Sequence, residues 1–333
     1  MEIYDIVSIG EMLVDFLPEG DEVGKLRFVG NPGGAPANVA VGASRLGLRS
    51  AFLGKVGDDI FGAHLKGVLV REGVDASGLV MDKAARTTLA FVSLDSSGDR
   101  SFTFYRNPGA DGLLREDELD LKALCSCRAL VHGSISLIGE PSRSATLAAI
   151  KAAKEAGAAI CFDPNLRESL WPGIDAAKKA IFGAISFSDL VKVSDDELMR
   201  LTGAASVEEG IAKLKKQSGA DPAIAVSMGS SGAMVSAGGG TVYSEGFHVD
   251  VADTTGAGDA FLSAMLFGAI RSAGGLSLAS AIRRCGPADW KGILDFANAA
   301  GALCASRKGA IPALPRLYEV EALLDGRGGN ATR

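Results

Sequence analysis

Short apolar segments alternate with helical periods along most of the chain, and this alternation constrains the fold more than any other feature. Each segment is four or five residues long and rich in Val, Ile, Leu and Ala. Continuous apolar runs of this length are typical of parallel strands that are covered on both faces. We therefore predict an α/β fold whose central, mostly parallel sheet is flanked by helices on both faces. The predicted strands are Asp5–Ile9, Ala51–Lys55, Ala129–His132, Ala159–Phe162, Leu190–Ser194 and Ala223–Ser227.

Part of the sequence departs from this alternation. Thr88–Asp95 and Arg100–Arg106, separated by a Ser-Ser-Gly-Asp turn, predict an antiparallel hairpin, and Met12–Phe28 has an extended character. We predict that segments 12–28 and 88–106 form a small β-sheet lid over a cleft. An ordinary edge hairpin is an equally good interpretation at this point.

Length and composition exclude several classes of protein. The 333 residues suit one large domain, predicted for residues 1–325, and the polar segment 326–333 predicts a disordered tail. A net charge of −6 without a basic cluster predicts that nucleic acid is not a partner. No apolar run reaches the roughly 18 residues needed to span a bilayer, and no signal-peptide pattern is present, so no membrane contact is expected. The five cysteines are odd in number and lack zinc-ligand spacing, as expected of a cytoplasmic protein with reduced thiols.

The strongest chemical signal is the segment Asp253-Thr-Thr-Gly-Ala-Gly-Asp259-Ala-Phe, which is followed by a predicted helix. Backbone N–H groups of Gly256, Ala257 and Gly258 would point out of such a turn, and the helix N-terminus adds partial positive charge. The turn therefore predicts an anion site. Asp259 is unexpected there unless it faces a hydroxyl that attacks the anion, although a simple helix cap is the alternative.

A second glycine-rich segment, Gly30-Asn-Pro-Gly-Gly-Ala-Pro-Ala-Asn38, precedes another predicted helix. Gly33 and Gly34 allow the backbone to approach a ligand, and Asn38 offers both a donor and an acceptor, which suits a polyol. A plain tight turn is the alternative. Neither a phosphate-binding GxxxxGK[ST] loop nor a dinucleotide GxGxxG fingerprint occurs, which disfavours a nicotinamide-dependent oxidoreductase.

Together, GGAPANVA near the start and DTTGAGDAF near residue 255 resemble the two signatures of the ribokinase-type (PfkB) carbohydrate kinases. The resemblance runs from about Ile6 to Pro315, and the order and separation of the signatures fit the family. Further stretches are similar to its fructokinase branch: GEMLVDF, GKVGDDIFG, the Tyr105-Arg106 pair before NPGAD, HGSISLIGEP, DPNLR at 163–167 and KGAIPALP at 308–315.

For catalysis, the resemblance implies that Asp259 takes the proton from a sugar primary hydroxyl as its oxygen attacks the γ-phosphorus of ATP. It implies that the amides of Gly256, Ala257 and Gly258 form the anion hole and that Arg167 adds charge at the transferring group. The implied sugar contacts are Asp15, Gly33, Gly34, Asn38 and, from the lid, Arg106. The implied contacts to the nucleotide and its phosphates are Asn165, Lys192, Glu197, Ser227, Gly229, Gly232 and Asn298.

The resemblance also implies Mg²⁺, and K⁺ held near Asp253, Thr255 and Gly309. One departure concerns the family's Asn-x-x-Glu element, because Ser194 stands where Asn is usual while Glu197 is kept. Ser can still hydrogen-bond a water, so the expected effect on the Mg²⁺ arrangement is modest. The same residues could simply cap a helix.

The function that the resemblance implies is ATP-dependent phosphorylation of fructose to fructose 6-phosphate, with a sugar and ATP as partners and a homodimer formed through the lid. Within the same chemistry, 2-keto-3-deoxygluconate or a riboside remains an alternative substrate. A sugar-sensing protein derived from a degenerate kinase is the non-enzyme alternative. It would be expected to have lost Asp259 or the glycines around it, and all of them are present.

Overall fold

Two separate sheets organise the computed structural model, which describes residues 4–20, 25–94, 100–238 and 240–330. The described strands are β1 (Tyr4–Ile9), β2 (Leu13–Pro18), β3 (Phe28–Gly33), β4 (Ser50–Gly57), β5 (Leu79–Asp82), β6 (Leu89–Leu94), β7 (Arg100–Tyr105), β8 (Cys127–Gly133), β9 (Ala159–Asp163), β10 (Leu190–Ser194), β11 (Ala223–Ser227), β12 (Ala233–Ala237) and β13 (Gly240–Ser244). All six strands predicted from the sequence are present.

The main sheet has nine strands in the order β13-β12-β11-β10-β9-β8-β1-β4-β5. The seven strands from β11 to β5 pair in parallel, whereas β12 and β13 add an antiparallel edge. Parallel strands need crossover connections, and helices provide most of them. The mostly parallel sheet predicted from the apolar runs is therefore confirmed.

Helices cover both faces of this sheet. Alternate strand residues point into different cores: Ile6 and Leu190 pack with the helices of one face, whereas Val7 and Val191 pack in clusters on the other. This alternation explains why the strands are apolar along their whole length. The helices are α1 (Ala35–Arg45), α2 (Ile60–Arg71), α3 (Leu121–Leu124), α4 (Ser142–Glu155), α5 (Ile174–Ile185), α6 (Asp195–Thr202), α7 (Val207–Ser218), α8 (Ala257–Ser272), α9 (Leu278–Arg284), α10 (Pro287–Ala305) and α11 (Leu317–Asn330).

The smaller sheet, which we call the lid, consists of β3-β2-β6-β7 in that order. The pairs β2–β3 and β6–β7 are antiparallel, and β2 and β6 pair in parallel. Phe16 stacks on Phe91 with 4.9 Å between ring centroids, and Phe28 and the Phe61 ring of α2 pack edge-on around them. The predicted hairpin thus belongs to a separate sheet rather than to the edge of the main one.

The C-terminal segment differs from the prediction. Helix α11 continues to Asn330, five residues into the segment for which a disordered tail was expected. The helix is anchored upstream, where Val320 is fully buried in the main core. Residues 331–333, the lid residues 21–24 and the hairpin turn at 95–99 lie outside the described residues. The division into a single domain over residues 1–325 stays a prediction.

Candidate active site

Parallel pairing determines where the polar residues of the main sheet collect. Strands β1, β9, β10 and β11 run in the same direction, so their carboxyl ends lie along one edge of the sheet. Glu11, Asp163 and Ser227 lie at or just beyond these ends, and Lys192 lies two residues before the end of β10. The N-terminus of α8 is close to the same edge, because a Cβ on Gly258 would lie 2.7 Å from the Nζ atom of Lys192.

The turn before α8 is shaped by Gly256, the N-cap residue, whose φ of 79° lies in the left-handed region that favours glycine. The turn directs the amide of Ala257 back to the carbonyl oxygen of Thr254, at 3.2 Å. Among the described residues, the amides of Gly256 and Gly258 have no protein acceptor. Two of the three predicted anion-hole amides are therefore available, and Ala257 is occupied by the turn itself.

Asp259 lies on the first turn of α8 and is buried, with 5% of its surface exposed. Its Oδ2 atom accepts a hydrogen bond of 2.7 Å from Asn38 Nδ2, rather than a backbone bond that would cap the helix. Burial raises the pKa of Asp259, while the Asn38 hydrogen bond and the charges of Lys192 and Arg167 oppose the rise. A raised pKa makes this carboxylate a better proton acceptor than an exposed aspartate.

The predicted sugar-contacting residues lie beside Asp259. Asp15 is on β2 opposite Asn31 of β3, and a Cβ on Gly33 would overlap the Oδ2 atom of Asp15, which explains the glycine. Burial raises the pKa of Asp15 to about 6, and the charges of Arg167 and Asp259 also act on this carboxylate. Gly34 is equally constrained, because its Cβ would lie 2.5 Å from the carbonyl oxygen of Glu11. The structure therefore places Asp15, Gly33, Gly34 and Asn38 together.

Arg106 directly follows β7, where the lid joins the rest of the chain. Its Nε atom donates a hydrogen bond of 2.7 Å to Asp111 Oδ2, and both side chains are largely buried. Asp111 is a residue that the sequence analysis missed, although it lies inside the NPGAD stretch. The sequence evidence for the pair was an acidic residue five positions after a basic one, and such spacing alone is weak evidence of a contact.

A buried cluster lies at the carboxyl ends of β9 and β10. Lys192 Nζ donates to Asp163 Oδ2 at 3.0 Å, and both side chains are less than a tenth exposed. Burial raises the pKa of Asp163 to about 7 even though Lys192 opposes the rise. Asp163 was also missed, although its place at the start of DPNLR and at a strand end was a usable signal. Its Oδ1 atom accepts the amide of Asn165, whose φ of 43° is left-handed.

Glu197 is held by three donors. Its Oε1 atom accepts the amide of Leu166 at 2.6 Å, while Oε2 accepts the amide and hydroxyl of Ser194 at 3.0 and 3.2 Å. The Ser194 hydroxyl accepts the Glu197 amide in return, which completes a capping box at α6. The cap interpretation is therefore correct. Glu197 also fixes the 163–167 segment through the Leu166 amide, so capping the helix is compatible with the implied role of Glu197 near the phosphates and Mg²⁺.

A cleft of about 260 Å³ lies beside the α8 N-terminus. Four predicted nucleotide residues, Ser227, Gly229, Gly232 and Asn298, line it together with Ala257 and Gly258. The side-chain Nδ2 atom of Asn298 donates to the carbonyl oxygens of Ser244 and Glu245, so this residue also fixes the wall of the cleft. The apolar wall, which the sequence analysis did not identify, is formed by Phe247, Val249, Val251 and Phe261.

The predicted monovalent-cation residues meet at the other side of the turn. Asp253 Oδ1 accepts the amide of Thr255 at 2.8 Å, and Oδ2 accepts the amide of Gly309 at 3.0 Å. The carboxylate of Asp253 is an oxygen ligand of the kind that hard cations prefer. A K⁺ ion at this site stays a prediction.

Among the described residues, no group of three or more His, Cys, Asp or Glu side chains could hold a metal ion by itself. The carboxylates of Asp163 and Glu197 are oxygen ligands of the kind that Mg²⁺ takes in nucleotide sites, together with phosphates and waters. In the residues that the structure describes, no helix is both long enough and apolar enough to cross a bilayer.

The family to which the chain belongs follows from its sequence and agrees with this geometry. The protein-family model described as pfkB family carbohydrate kinase matches residues 4–317, so the chain belongs to that family. It is 47% identical over 324 residues to a probable fructokinase-4 of Arabidopsis thaliana, covering 96% of this chain and 97% of the relative.

Solved structures agree with this assignment. Fructokinase from Xylella fastidiosa with bound ATP is similar with a TM-score of 0.89 and 33% identity, covering 98% of this chain and 100% of that one. A double mutant of fructokinase from Vibrio cholerae O395, in a form with fructose, ADP and potassium ion bound, is similar with a TM-score of 0.84 and 36% identity, covering 97% and 99%. The α/β fold with a small separate sheet is the fold of these enzymes.

Proposed function

We propose that the protein phosphorylates fructose with ATP, producing fructose 6-phosphate and ADP. The observation that carries this proposal is the buried carboxylate of Asp259, which lies on the helix turn that presents the amides of Gly256 and Gly258. Fructokinase relatives and fructose- and ATP-bound neighbours support the choice of substrates.

In the proposed mechanism, the C6 oxygen of fructose attacks the γ-phosphorus while Asp259 Oδ accepts the hydroxyl proton. The bond from the γ-phosphorus to the β–γ bridging oxygen breaks, and ADP leaves. Asn38, which donates to Asp259, holds the carboxylate in place. Asp15 and the backbone at Gly33 and Gly34 orient the sugar so that one hydroxyl is presented.

Negative charge on the transferring group is met by fixed donors. The amides of Gly256 and Gly258 and the partial charge of the α8 N-terminus face it, and Arg167 and Lys192 add positive charge. Glu197 and Asp163 would hold the Mg²⁺ that ATP brings, and that ion would supply further charge neutralisation. A K⁺ ion at Asp253, Thr255 and Gly309 would hold the anion-hole turn in shape.

The cleft beside α8 suits the nucleoside of ATP, with Asn298, Ser227, Gly229 and Gly232 along its walls. Apolar side chains such as Val249 and Val251 provide surfaces on which a base can pack. Asn165, whose backbone amide donates to Asp163 Oδ1, would contact the phosphates of ATP in this arrangement.

A sugar panel tests the proposal. Coupled ADP release is measured for fructose, 2-keto-3-deoxygluconate, ribosides and aldohexoses, with and without K⁺, and ³¹P NMR identifies the phosphorylated position. We expect fructose to have the highest kcat/KM and to yield the 6-phosphate. A sugar-sensing protein would bind fructose calorimetrically without releasing ADP, and that result would overturn the proposal.

We also propose a cytoplasmic homodimer that associates through the lid. None of the five cysteines, all of which are described, forms a disulfide, as expected in a reducing compartment. The lid leaves Leu26 and Tyr105 largely exposed, at 89% and 66%; Leu26 precedes the edge strand β3, and Tyr105 ends the edge strand β7. Exposed apolar side chains near unpaired strand edges favour pairing with a second copy. Light scattering of the protein and of a Leu26→Lys/Tyr105→Lys variant tests this, and a monomeric wild type would contradict it.

A further inference from the structure

The contact between Arg106 and Asp111 lies at the junction between the lid hairpin and the rest of the chain. Thr88 directly precedes β6 and Arg106 directly follows β7. Asp111 joins both, because its Oδ1 atom accepts the Thr88 hydroxyl at 2.5 Å and its Oδ2 atom accepts Arg106 Nε at 2.7 Å. One buried carboxylate therefore holds the two residues at which the hairpin begins and ends.

Glycine at position 109 is required by this arrangement. A Cβ there would lie 2.6 Å from Asp111 Oδ1 and 2.9 Å from Arg106 Cγ, and it would overlap the hydroxyl of Thr88. On the other side, a Cβ on Gly112 would lie 3.4 Å from Arg106 Nη2. The Arg106 side chain thus lies against two glycines, with its Cγ next to Gly109 and its guanidinium next to Gly112.

The 3₁₀ turn Ala110–Leu113, which carries Asp111, is itself anchored to the main sheet. Lys55 of β4 is 3% exposed, and its Nζ atom donates to the Leu113 carbonyl at 3.2 Å and to Glu118 at 2.8 Å. Asp111 is therefore a fixed point against which Arg106 is held, rather than a side chain that follows the lid.

The charges around the sugar-contacting residues are matched. Arg106 is paired with Asp111, and Arg167 acts on the carboxylates of Asp15 and Asp259. Glu11 is buried, and burial raises its pKa to about 8, which favours the neutral carboxyl; the charges of Asp111 and Arg106 also act on it. Among the described residues, the two arginines named here therefore both lie beside carboxylates and offer little free positive charge to a substrate carboxylate, whereas the Nη groups of Arg106 can still donate to neutral hydroxyls.

We propose that Asp111 is a specificity-determining residue, which neutralises Arg106 while holding it in place and so makes the pocket select neutral sugars over sugar acids. This inference rests on the proposed sugar kinase function and on the placement of Arg106 at the sugar. Asp111 acts through Arg106 and is a positioning residue rather than a catalytic one.

The test compares kcat/KM for fructose with kcat/KM for 2-keto-3-deoxygluconate, which presents a terminal hydroxyl and carries a carboxylate at its other end. In Asp111→Asn the acid-to-fructose ratio should rise about tenfold, because Arg106 is no longer neutralised. In Arg106→Gln the ratio should fall, because Asp111 then lacks its cation. Thr88→Val, which removes the other partner of Asp111 without changing charge, should leave the ratio within about twofold.

Two further readouts separate selectivity from structural damage. The KM for ATP and the Tm of Asp111→Asn should stay close to those of the wild type. Equal losses for both sugars in Asp111→Asn, or an unchanged ratio, would overturn the inference. If Asp111→Asn does not fold, Arg106→Gln tests the same charge pair by removing its cation, and the acid-to-fructose ratio of kcat/KM should then fall. An unchanged ratio in Arg106→Gln would also overturn the inference.

The proposed function is tested separately by the wild type. Absence of ADP release with fructose would reject the fructokinase assignment. The ratio of the dissociation constants for the two sugars, measured calorimetrically in wild type and Asp111→Asn, would still show whether Asp111 excludes the acid.

Discussion

The two ends of the candidate site are built by different means. At the α8 end, the turn is held largely by backbone groups: Asp253 accepts the amides of Thr255 and Gly309, and the amide of Ala257 bonds to Thr254. At the lid end, the site depends on individual side chains, and two buried atoms, Asn38 Oδ1 and Glu11 Oε2, lack a partner among the described residues.

This contrast has an electrostatic consequence. The negative charge of a carboxylate is offset by the backbone amides that donate to it, as at Asp253. Asp15 and Glu11 are penalised by burial instead, and their pKa values rise to about 6 and about 8. The α8 end is therefore preorganised to receive negative charge, whereas the lid end is adapted to groups that carry none.

The largest effect is expected at the point where the two ends meet. Asp259→Asn should lower kcat by at least about 10²–10⁴-fold, because the amide cannot accept the hydroxyl proton, while fructose binding changes only a few-fold. In the wild type, kcat/KM should fall as pH decreases through the raised pKa of Asp259. Steady-state ADP release and calorimetric binding measure the two effects.

Asp250→Asn is the matched control, because Asp250 is exposed and precedes the same turn. Its kcat should equal that of the wild type. Retention of most of the activity in Asp259→Asn would show that another group accepts the proton.

A substitution at Gly258 tests the backbone-built end. In Gly258→Ala the new methyl group would lie 2.7 Å from Lys192 Nζ, so either the anion-hole turn or the Lys192–Asp163 pair must move. We expect kcat to fall about 10²-fold with little change in the KM for fructose, because the donors serve the transition state. Gly292→Ala, on a helix where a Cβ meets nothing within 4 Å, serves as the control. Equal kcat values for the two variants would refute the assignment of the turn.

A smaller effect is expected at the lid end. In Gly33→Ala the methyl group would overlap the Asp15 carboxylate and displace it from the sugar. The KM for fructose should rise about tenfold while the KM for ATP is unchanged. If instead the KM for ATP rose equally, Gly33 would support the whole site rather than the sugar contact alone.

The sequence allowed the backbone-built end to be predicted more fully than the lid end. Glycine spacing is a local signal that predicts the turn at 253–259, and the short apolar runs are a local signal that predicts the strands of the main sheet. The occupied amide of Ala257 did not follow, because it depends on how the turn closes at Gly256. Asp163 and Asp111 were missed because their roles depend on contacts with residues distant in sequence. Asp163 pairs with Lys192, and Asp111 accepts a hydrogen bond from Thr88.

Contacts across long chain separations limited the prediction elsewhere too. Asn38 and Asp259 are 221 residues apart and bond at 2.7 Å, which no periodic pattern reveals. The apolar wall of the cleft at Val249 and Val251 lies in a segment outside the named helices and strands, so it carries no period either. Composition also misled at the C-terminus, where glycine-rich residues continue α11 as a helix.

The smallest expected effect concerns stability and isolates the burial of Glu11. Its folded-state pKa of about 8 lies above the ordinary value of 4.5, mainly because of burial, with Asp111 and Asp259 adding to the rise. Between these two values the native state binds a proton that the unfolded state lacks. Stability from this group is therefore complete below pH 4.5 and is lost as pH rises toward about 8.

Glu11→Gln cannot ionise and should escape this loss. The Tm difference between variant and wild type should become more positive from about pH 5 to about pH 9, by roughly 3 °C or more. Exposed Glu155→Gln is the control and should follow the wild type at every pH. Parallel curves for Glu11→Gln and wild type would mean that the carboxyl of Glu11 is charged in the native state, and the distinction between a compensated α8 end and an uncompensated lid end would then fail.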